Sequence, residues 1–499
     1  MPEPHFDMTL PAGVFRCGEV LARIGGRVYV VGGAVRDWLL HKPVKDYDLE
    51  VFGLSADAVR SALSSVARTA PAGDSFPVFK VAGLPGVVGE VDVALPRRDS
   101  KKGAGHRGIL AEADPFMSIM DAARRRDFTI NALMFDLQTR TLEDPFGGEA
   151  DLLAGVLRVV DPSTFGDDPL RALRAAQFAA RFELTVEPDT ARLCASMPMT
   201  ELAPERVFGE IEKALLQAKR PSIAFQLLSD WGQLHAIAPE LAPLAATPQD
   251  PQWHPEGDVW VHTMLAIDQA RLLIDELDVP RKLAVMLGTL CHDLGKPGTT
   301  KLEDGRIRSR GHEEAGAAPT ISLLDRWNVH TRDGFPLRDQ VIALVKDHLK
   351  PGALYQARSE VSVGAIRRLA GRVEADLLYR VARADCLGRT GDFPPVAMDW
   401  FIDQVRNLSV ERAGPTPFLL GRDIVALGLK PGPPIGKILT EVYEQQLDSK
   451  IVDRDQALSL ALRLSQQHLA QPSPLEGGQR SSVPPLTGVK ILGKFKESQ

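Results

Sequence analysis

Cysteine is scarce in this chain of 499 residues: Cys17, Cys194, Cys291 and Cys386 are scattered, with no CxxC pair. That excludes a disulfide framework and fits a reducing compartment. No apolar run approaches a transmembrane span, and the first residues lack the basic-then-apolar pattern of a secretory leader. The expectation is a cytoplasmic protein without membrane contact. A basic excess is also missing, since the formal net charge is −6. Any RNA contact must then come from local basic patches rather than from a global field. Internal repeats are absent. The apolar and charged fractions are ordinary for a soluble protein, and the length calls for two to four domains.

Against this plain background one stretch stands out. Val28-Tyr29-Val30-Val31 is β-branched and aromatic, suited to a buried strand. Gly32-Gly33 follows, where backbone amides can approach a phosphate without a Cβ in the way. Ala34 to Leu40 reads as a helix whose N-terminus favours an anion. Asp46 and Asp48 then sit two apart. On a strand both carboxylates face one way and can share a hard cation such as Mg²⁺. A lone Gly-Gly is usually a turn and a lone Asp-x-Asp usually a solvated loop; their order and close spacing after a strand point instead to nucleotidyl transfer.

Gly32-Gly33-x-x-Arg36-Asp37 followed by Asp46-x-Asp48 resembles the nucleotidyltransferase superfamily, in particular class II tRNA nucleotidyltransferases (CCA-adding enzymes) and their bacterial poly(A) polymerase relatives. The resemblance implies that Gly32, Gly33 and Arg36 bind nucleotide and that Asp46 and Asp48 hold catalytic Mg²⁺. Residues 54 to 69 read as a helix, and Phe76–Val81 and Gly89–Leu95 as strands. From spacing alone Asp92 is either a strand's polar face or a third carboxylate; the family places a catalytic carboxylate there. Arg97, Arg98, Lys101, Lys102 and Arg107 around Gly103-Ala104-Gly105 read as a mobile basic loop, solvated or touching triphosphate or RNA. The family's loop here goes with adding the terminal A as well as the C residues. Arg124-Arg125-Arg126-Asp127-Phe128-Thr129-Ile130-Asn131 matches the family's next motif, with Arg126 expected on the nucleotide, Asn131 near the ribose, and Phe128, Ile130 and Leu133 in the core. Asp144-Pro145-Phe146-Gly147-Gly148 resembles the family's hinge.

Asp168 and Pro169 suit the start of a helix. The family's motif here is Glu-Asp-x-x-Arg, which this chain carries as Asp167-Asp168-x-x-Arg171. Cytosine and adenine both present an exocyclic amino donor beside a ring-nitrogen acceptor. A carboxylate next to a guanidinium therefore accepts both and refuses the opposite polarity of G and U. By resemblance Asp168 and Arg171 read the base edge, and Arg174 reaches phosphate or ribose. Relatives commonly carry another Arg where this chain has Gln177. Pro204–Leu215 is an amphipathic helix with its charges as neck scaffolding.

A second set is built on histidine. Trp253-His254-Pro255-Glu256 leads to His262, then Leu290-Cys291-His292-Asp293-Leu294-Gly295-Lys296, Gly311-His312, Asp347-His348 and Ala384-Asp385. An adjacent His-Asp in an apolar helix is costly to bury unless something pairs it. The set resembles the HD phosphohydrolase superfamily, implying His262, His292, Asp293 and Asp385 as ligands of a divalent transition metal such as Ni²⁺ or Mn²⁺. His312 and His348 add a second metal or hold phosphate.

Together these readings give an α+β chain. A nucleotidyltransferase head with a mixed or antiparallel sheet occupies residues 1–160. A helical nucleotide-selecting neck follows at 161–225, an HD domain at 226–400, a helical domain at 401–470 and a Pro- and Ser-rich disordered tail at 471–499. The expected activity is template-free addition of CCA to tRNA from CTP and ATP, with phosphatase, 2′-nucleotidase or 2′,3′-cyclic phosphodiesterase chemistry in the HD domain. Expected partners are tRNA, CTP and ATP, and the expected state is a monomer or homodimer. The alternatives are a poly(A) polymerase or partial CC- or A-adding enzyme, and a nucleotide-sensing regulator whose only working enzyme is the HD domain.

Overall fold

Strand β1 (Arg27–Val31) forms around residues with almost no exposed surface: Val28, Tyr29 and Val30 are fully buried. In a computed structural model of the chain, residues 8–72, 78–101, 109–199 and 202–470 are described. Lys102, Arg107 and Gly103-Ala104-Gly105 of the expected basic loop, and the tail from Gln471, lie outside them. Along the head come β2 (Tyr47–Phe52), β3 (Arg68–Ala72), β4 (Val78–Ala82), β5 (Glu90–Ala94), β6 (Arg97–Lys101), β7 (Ile109–Ala113), β8 (Met134–Asp136) and β9 (Leu142–Glu143). Seven of them make one mixed sheet in the order β3-β4-β5-β2-β1-β8-β9, while β6 and β7 form a separate hairpin. Only β2 and β5 run parallel in that sheet, with Asp48 opposite Asp92.

The helix expected over 54 to 69 is shorter. It runs Ala56–Ser64 with Ser55 capping Ala58, and β3 follows it directly. Pro71 lies in β3 at the sheet's edge, where proline is tolerated. Helices Ala12–Arg23 and Ala56–Ser64 bury Val14, Leu21, Val59 and Leu63 in the core that also takes Val28, Val30, Leu49 and Val91.

Beyond the head the described chain is almost entirely helical. Leu170–Phe182 packs on Pro204–Gln217 to form the neck. Val279–Cys291 carries a continuous buried run from Leu283 to Cys291 and is the central helix of the next layer. Asp278 caps its start, and Val259–Arg271, Leu337–Asp347 and Ala375–Leu387 pack around it.

The chain folds as two units, Met1–Val361 with Leu369–Ala413, and Ser362–Arg368 with Gly414–Gln499. Helix Val396–Asn407 belongs to the first, packing on Lys350–Gln356 and Ala375–Leu387. In the second, helices Gly421–Ala426, Pro433–Leu447 and Arg454–Ala470 enclose Leu419, Ile424, Ile438 and Val442. No described helix is long and apolar enough to cross a membrane.

Candidate functional sites: a carboxylate and arginine cleft and a histidine centre

The first site is an open cleft of about 990 Å³ between head and neck, lined by Gly32, Gly33, Asp46, Asp48 and Arg126 from the head. Asp168, Arg171 and Arg174 line it from the neck. Gly32 turns with φ +67°, and a Cβ there would lie 2.8 Å from the Arg126 guanidinium. Asp46 and Asp48 are exposed to the cleft at the start of β2. Desolvation at the cleft floor raises the Asp48 carboxyl above its ordinary range; Arg126 opposes this, and Asp92 and Asp46 add like charge. A carboxylate crowded in this way gains from a cation. Asp92 stands beside Asp48 across the parallel pair, contacts Lys80 at 3.4 Å, and is not among the cleft-lining residues.

Glu50 continues the alternation of Asp46 and Asp48 but turns inward, at 1 % exposure. It holds Arg125 at 2.7 Å and Arg126 at 3.2 Å, so a buried carboxylate aims the arginine that faces the glycines. The two guanidiniums keep Glu50 below its ordinary range despite burial. Glu50→Ala is expected to cost about 3 kcal/mol by leaving two half-buried cations unpaired, read from chemical unfolding. The depressed pKa sets the sign of its pH dependence. The contribution is full above the unfolded carboxylate's pKa and is lost as pH falls through the lowered folded value.

Arg36 lies 4 % exposed on the cleft floor. It donates to Asp37 at 2.7 Å and to Asn131 at 2.6 Å, and its guanidinium stands 4.4 Å from the Phe182 ring centre. Asn131 in turn donates to Asp127, which accepts from Arg174 at 2.8 Å. This chain of side chains ties the head to the neck helix. Asp127 stays ionised although buried, because Arg174, Asn131 and the Phe128 amide together outweigh desolvation. Phe128, Ile130 and Leu133 are fully buried, as expected.

The helix starts at Leu170, one residue later than expected, and Asp168 accepts from the Leu170 amide at 3.2 Å. Arg206 pairs with the Asp168 carboxylate at 2.8 Å. Arg171 is steadied by the carbonyls of Thr164 and Arg125. Asp168 and Arg171 therefore project from one helix end with their orientation fixed from behind. Gln177 is 2 % exposed, and its amide nitrogen has no partner among the described residues.

The second site is buried. His262, His292, Asp293, His312, His348 and Asp385 are all 0–7 % exposed. His292 and His348 directly follow the helices Val279–Cys291 and Leu337–Asp347, and Asp385 lies in the last turn of Ala375–Leu387. Three helix C-termini converge, an arrangement that favours a cation. Gly295 admits the His312 turn: a Cβ there would lie 2.0 Å from the His312 carbonyl.

One device recurs three times. The Nδ1 atoms of His292, His312 and His348 each lie 2.7 Å from the carbonyl three residues earlier, of Thr289, Ser309 and Val345. A carbonyl only accepts, so each Nδ1 carries a proton, and in the neutral ring the Nε2 lone pair faces inward. His312 Nε2 and His348 Nε2 are 3.3 Å apart. Asp293 lies 3.1 Å from His292 Nε2 and 3.3 Å from His312 Nε2. His292 Nε2 and both Asp293 oxygens lack hydrogen-bond partners among the described residues. Lys296 is 2.8 Å from Asp293 but is misaligned for a hydrogen bond, being directed at Gln249. Lone pairs converging on a buried carboxylate fit a metal ion. Two candidate ligand groups, His262–His292–Asp293 and Asp293–His312–His348, share Asp293.

His262 is oriented differently. Its Nδ1 meets Glu256 at 2.7 Å and its Nε2 meets Asp385 at 3.0 Å. Glu256 also engages His254 at 2.9 Å, and its carboxyl is drawn down to about 2: the hydrogen bonds from His262 and His254 and the local backbone outweigh desolvation. Burial drives His348 down to about 3, with His292 and His312 adding to it, so its imidazole is neutral. Glu256→Gln is expected to weaken metal retention about 10- to 100-fold, measured by metal analysis after dialysis against graded chelator. Glu256 and Lys296 stood in the quoted motifs without an assigned role, and Gln249 lay outside them.

Residues 28–158 match the family model for the poly A polymerase head domain, and residues 183–244 match the probable RNA and SrmB-binding site of polymerase A. The chain is 37% identical to the multifunctional CCA protein of Pasteurella multocida, over 76% of this chain and 89% of that protein. It is 36% identical to that of Xanthomonas oryzae pv. oryzae, over 83% and 96% respectively. Among solved structures, the Bacillus stearothermophilus CCA-adding enzyme in complex with CTP aligns with TM-score 0.62 at 20% identity, covering 93% of this chain and 99% of that one. The Thermotoga maritima CCA-adding enzyme complexed with tRNA aligns with TM-score 0.54 at 22% identity, covering 90% and 94%. With its glycine, paired-aspartate and arginine motifs gathered in one cleft, and with this identity across nearly the whole of its relatives, the chain belongs to the multifunctional CCA proteins, class II tRNA nucleotidyltransferases.

Proposed function

We propose that the cleft adds the complete CCA end to tRNA from CTP and ATP, and that the histidine centre is a metal-dependent phosphohydrolase. The observation that carries the first reading is the common cleft. Asp46 and Asp48 face Arg126 across it, while Asp168 and Arg171 enter from the neck. The oxygen-only donor set of Asp46 and Asp48 suits Mg²⁺, which when bound neutralises charge on the transferring α-phosphate and the attacking 3′-oxygen. Gly32, Gly33 and Arg126 take the triphosphate, and Asp92 adds a third carboxylate beside Asp48. Asp168 Oδ1 accepts from the Leu170 amide and Arg206, but Oδ2 keeps a lone pair beyond its bond to Arg206, so it can accept the amino group of C or A while Arg171 donates to the ring nitrogen. Arg174 sets the neck wall against phosphate or ribose.

The mixed imidazole and carboxylate set of His262, His292, Asp293 and Asp385 suits a first-row ion such as Ni²⁺ or Mn²⁺, which when bound activates water toward a phosphoester. His312 and His348 hold a second ion or the phosphate. Within the domain order expected from sequence, helix Val396–Asn407 goes with the histidine domain rather than with the segment after it, and the protein works in the cytoplasm as a monomer or homodimer.

The test is incubation with tRNA transcripts ending before CCA. CTP alone is expected to give CC, and CTP with ATP to give CCA. A long tail from ATP alone on any RNA would instead identify a poly(A) polymerase.

A further inference from the structure

The tryptophan at the mouth of the histidine centre is unexplained by packing. Of the six tryptophans, Trp253 alone is exposed, at 50 %. It lines the pocket of about 250 Å³ that opens onto Asp293, His312, His348 and Asp385. We infer that Trp253 is a base-stacking residue that makes this pocket select phosphates carried on a nucleoside. The inference rests on the phosphohydrolase reading above.

Its position is fixed from both sides. The amides of Trp253 and His254 donate to the Asp250 carbonyl at 3.0 and 2.9 Å, and His254 is held by Glu256. Beside it the Phe393 ring, which does not line the pocket, lies 6.4 Å away, tilted by 39°. The Phe393 loop is fastened in turn: the Thr390 amide donates to Glu256, and the Cys386 thiol donates to the Phe393 carbonyl. Between this aromatic lip and the centre stands Arg389, 5.7 Å from the Phe393 ring centre and 3.5 Å from Asp385. Its Nε is buried without a partner among the described residues.

From inside outward the order is metal ligands, a guanidinium with a donor to spare, then aromatic surface. A nucleoside phosphate has the same order of chemistry: phosphoryl group, sugar, base. The enclosed volume is near the small end for ligand pockets, so a base is left at the lip, where a rigid indole face receives any of the four. In hydrolysis the water oxygen forms the new bond to phosphorus and the bond from phosphorus to the sugar oxygen breaks. That oxygen takes the water's proton, leaving a nucleoside and inorganic phosphate.

The test compares two phosphomonoesters of secondary alcohols, adenosine 2′-phosphate and glycerol 2-phosphate, with full-length protein and Ni²⁺, reading released phosphate. Trp253→Ala is expected to lower kcat/KM for the adenosine ester about tenfold and to leave the glycerol ester unchanged, while Trp253→Phe restores most of the loss. Adenosine 2′-phosphate is also expected to quench the parent's tryptophan fluorescence and not that of Trp253→Phe. Equal losses on both esters, or no loss on either, would overturn the assignment. If the parent hydrolyses neither ester, the phosphohydrolase reading falls and the fluorescence decides alone. Quenching that survives in Trp253→Phe removes the stacking role.

Discussion

Asp48→Asn is expected to lower CMP and AMP addition at least about a thousandfold while phosphoester hydrolysis stays at the parent level. Asp48 is fixed at the start of β2, between β1 and the parallel strand that brings Asp92 beside it. Burial and the like charges of Asp92 and Asp46 already work against its ionised form, with Arg126 the main opposing charge. The amide fills the same volume and keeps the strand, so unfolding should be unchanged. What disappears is one of two anionic oxygen donors for the ion that offsets phosphate charge. The loss should appear in kcat rather than in KM for CTP, because the substitution leaves in place Gly32, Gly33 and Arg126, the residues proposed to take the triphosphate. Matched quench-flow and filter-binding measurements would separate the two. An Asp48→Asn enzyme that adds CMP at the parent rate would instead favour a regulator whose working enzyme is the histidine centre.

The second large effect is expected at Asp293. It belongs to two of the three candidate ligand groups, His262–His292–Asp293 and Asp293–His312–His348, so one substitution reaches most of the centre. Asp293→Ala should reduce retained metal at least about a hundredfold and abolish hydrolysis, with CCA addition unaffected. Removing the carboxylate leaves the inward Nε2 atoms of His292, His312 and His348 facing one another and Lys296 without its anion. Chelator should lower the melting temperature of the parent, because bound metal stabilises the folded state by mass action, and should leave the variant's unchanged. Metal content by mass spectrometry and calorimetry with and without chelator read the two arms.

Much of this was legible because the chemistry is written in short, ordered motifs. A strand, two glycines and alternating aspartates within twenty-one residues are enough to place Gly32, Asp46 and Asp48 in one cleft. The His292-Asp293 pair in an apolar run announced a buried centre in the same way. What remained hidden depends on contacts distant in sequence. Glu50 pairs with Arg125 and Arg126 seventy-five and seventy-six positions away. The clamp of Arg206 on Asp168 spans thirty-eight residues, and the alignment of Asp92 with Asp48 exists only once β5 pairs with β2. Residues 54 to 69 misled for a local reason: Val66 and Ala67 continue the helical spacing of Val59 and Leu63 past Ser64, but β4 recruits Arg68–Ala72 as its edge partner. Arg36 and Asn131 sat in the right motif, and folding commits much of their hydrogen bonding to Asp37 and Asp127.

Base choice by protein side chains is the claim on which template-free synthesis depends, and its most direct measurement is the incorporation of each of the four nucleotides by Asp168→Ala on a tRNA lacking its 3′ end. The expected result is that preference for CTP over UTP falls at least about tenfold, since the acceptor for the exocyclic amino group is gone while Arg171 stays fixed by Thr164 and Arg125. Unchanged preference, with only a slower rate, would contradict base reading by this carboxylate and leave Asp168 as a helix-end residue clamped by Arg206.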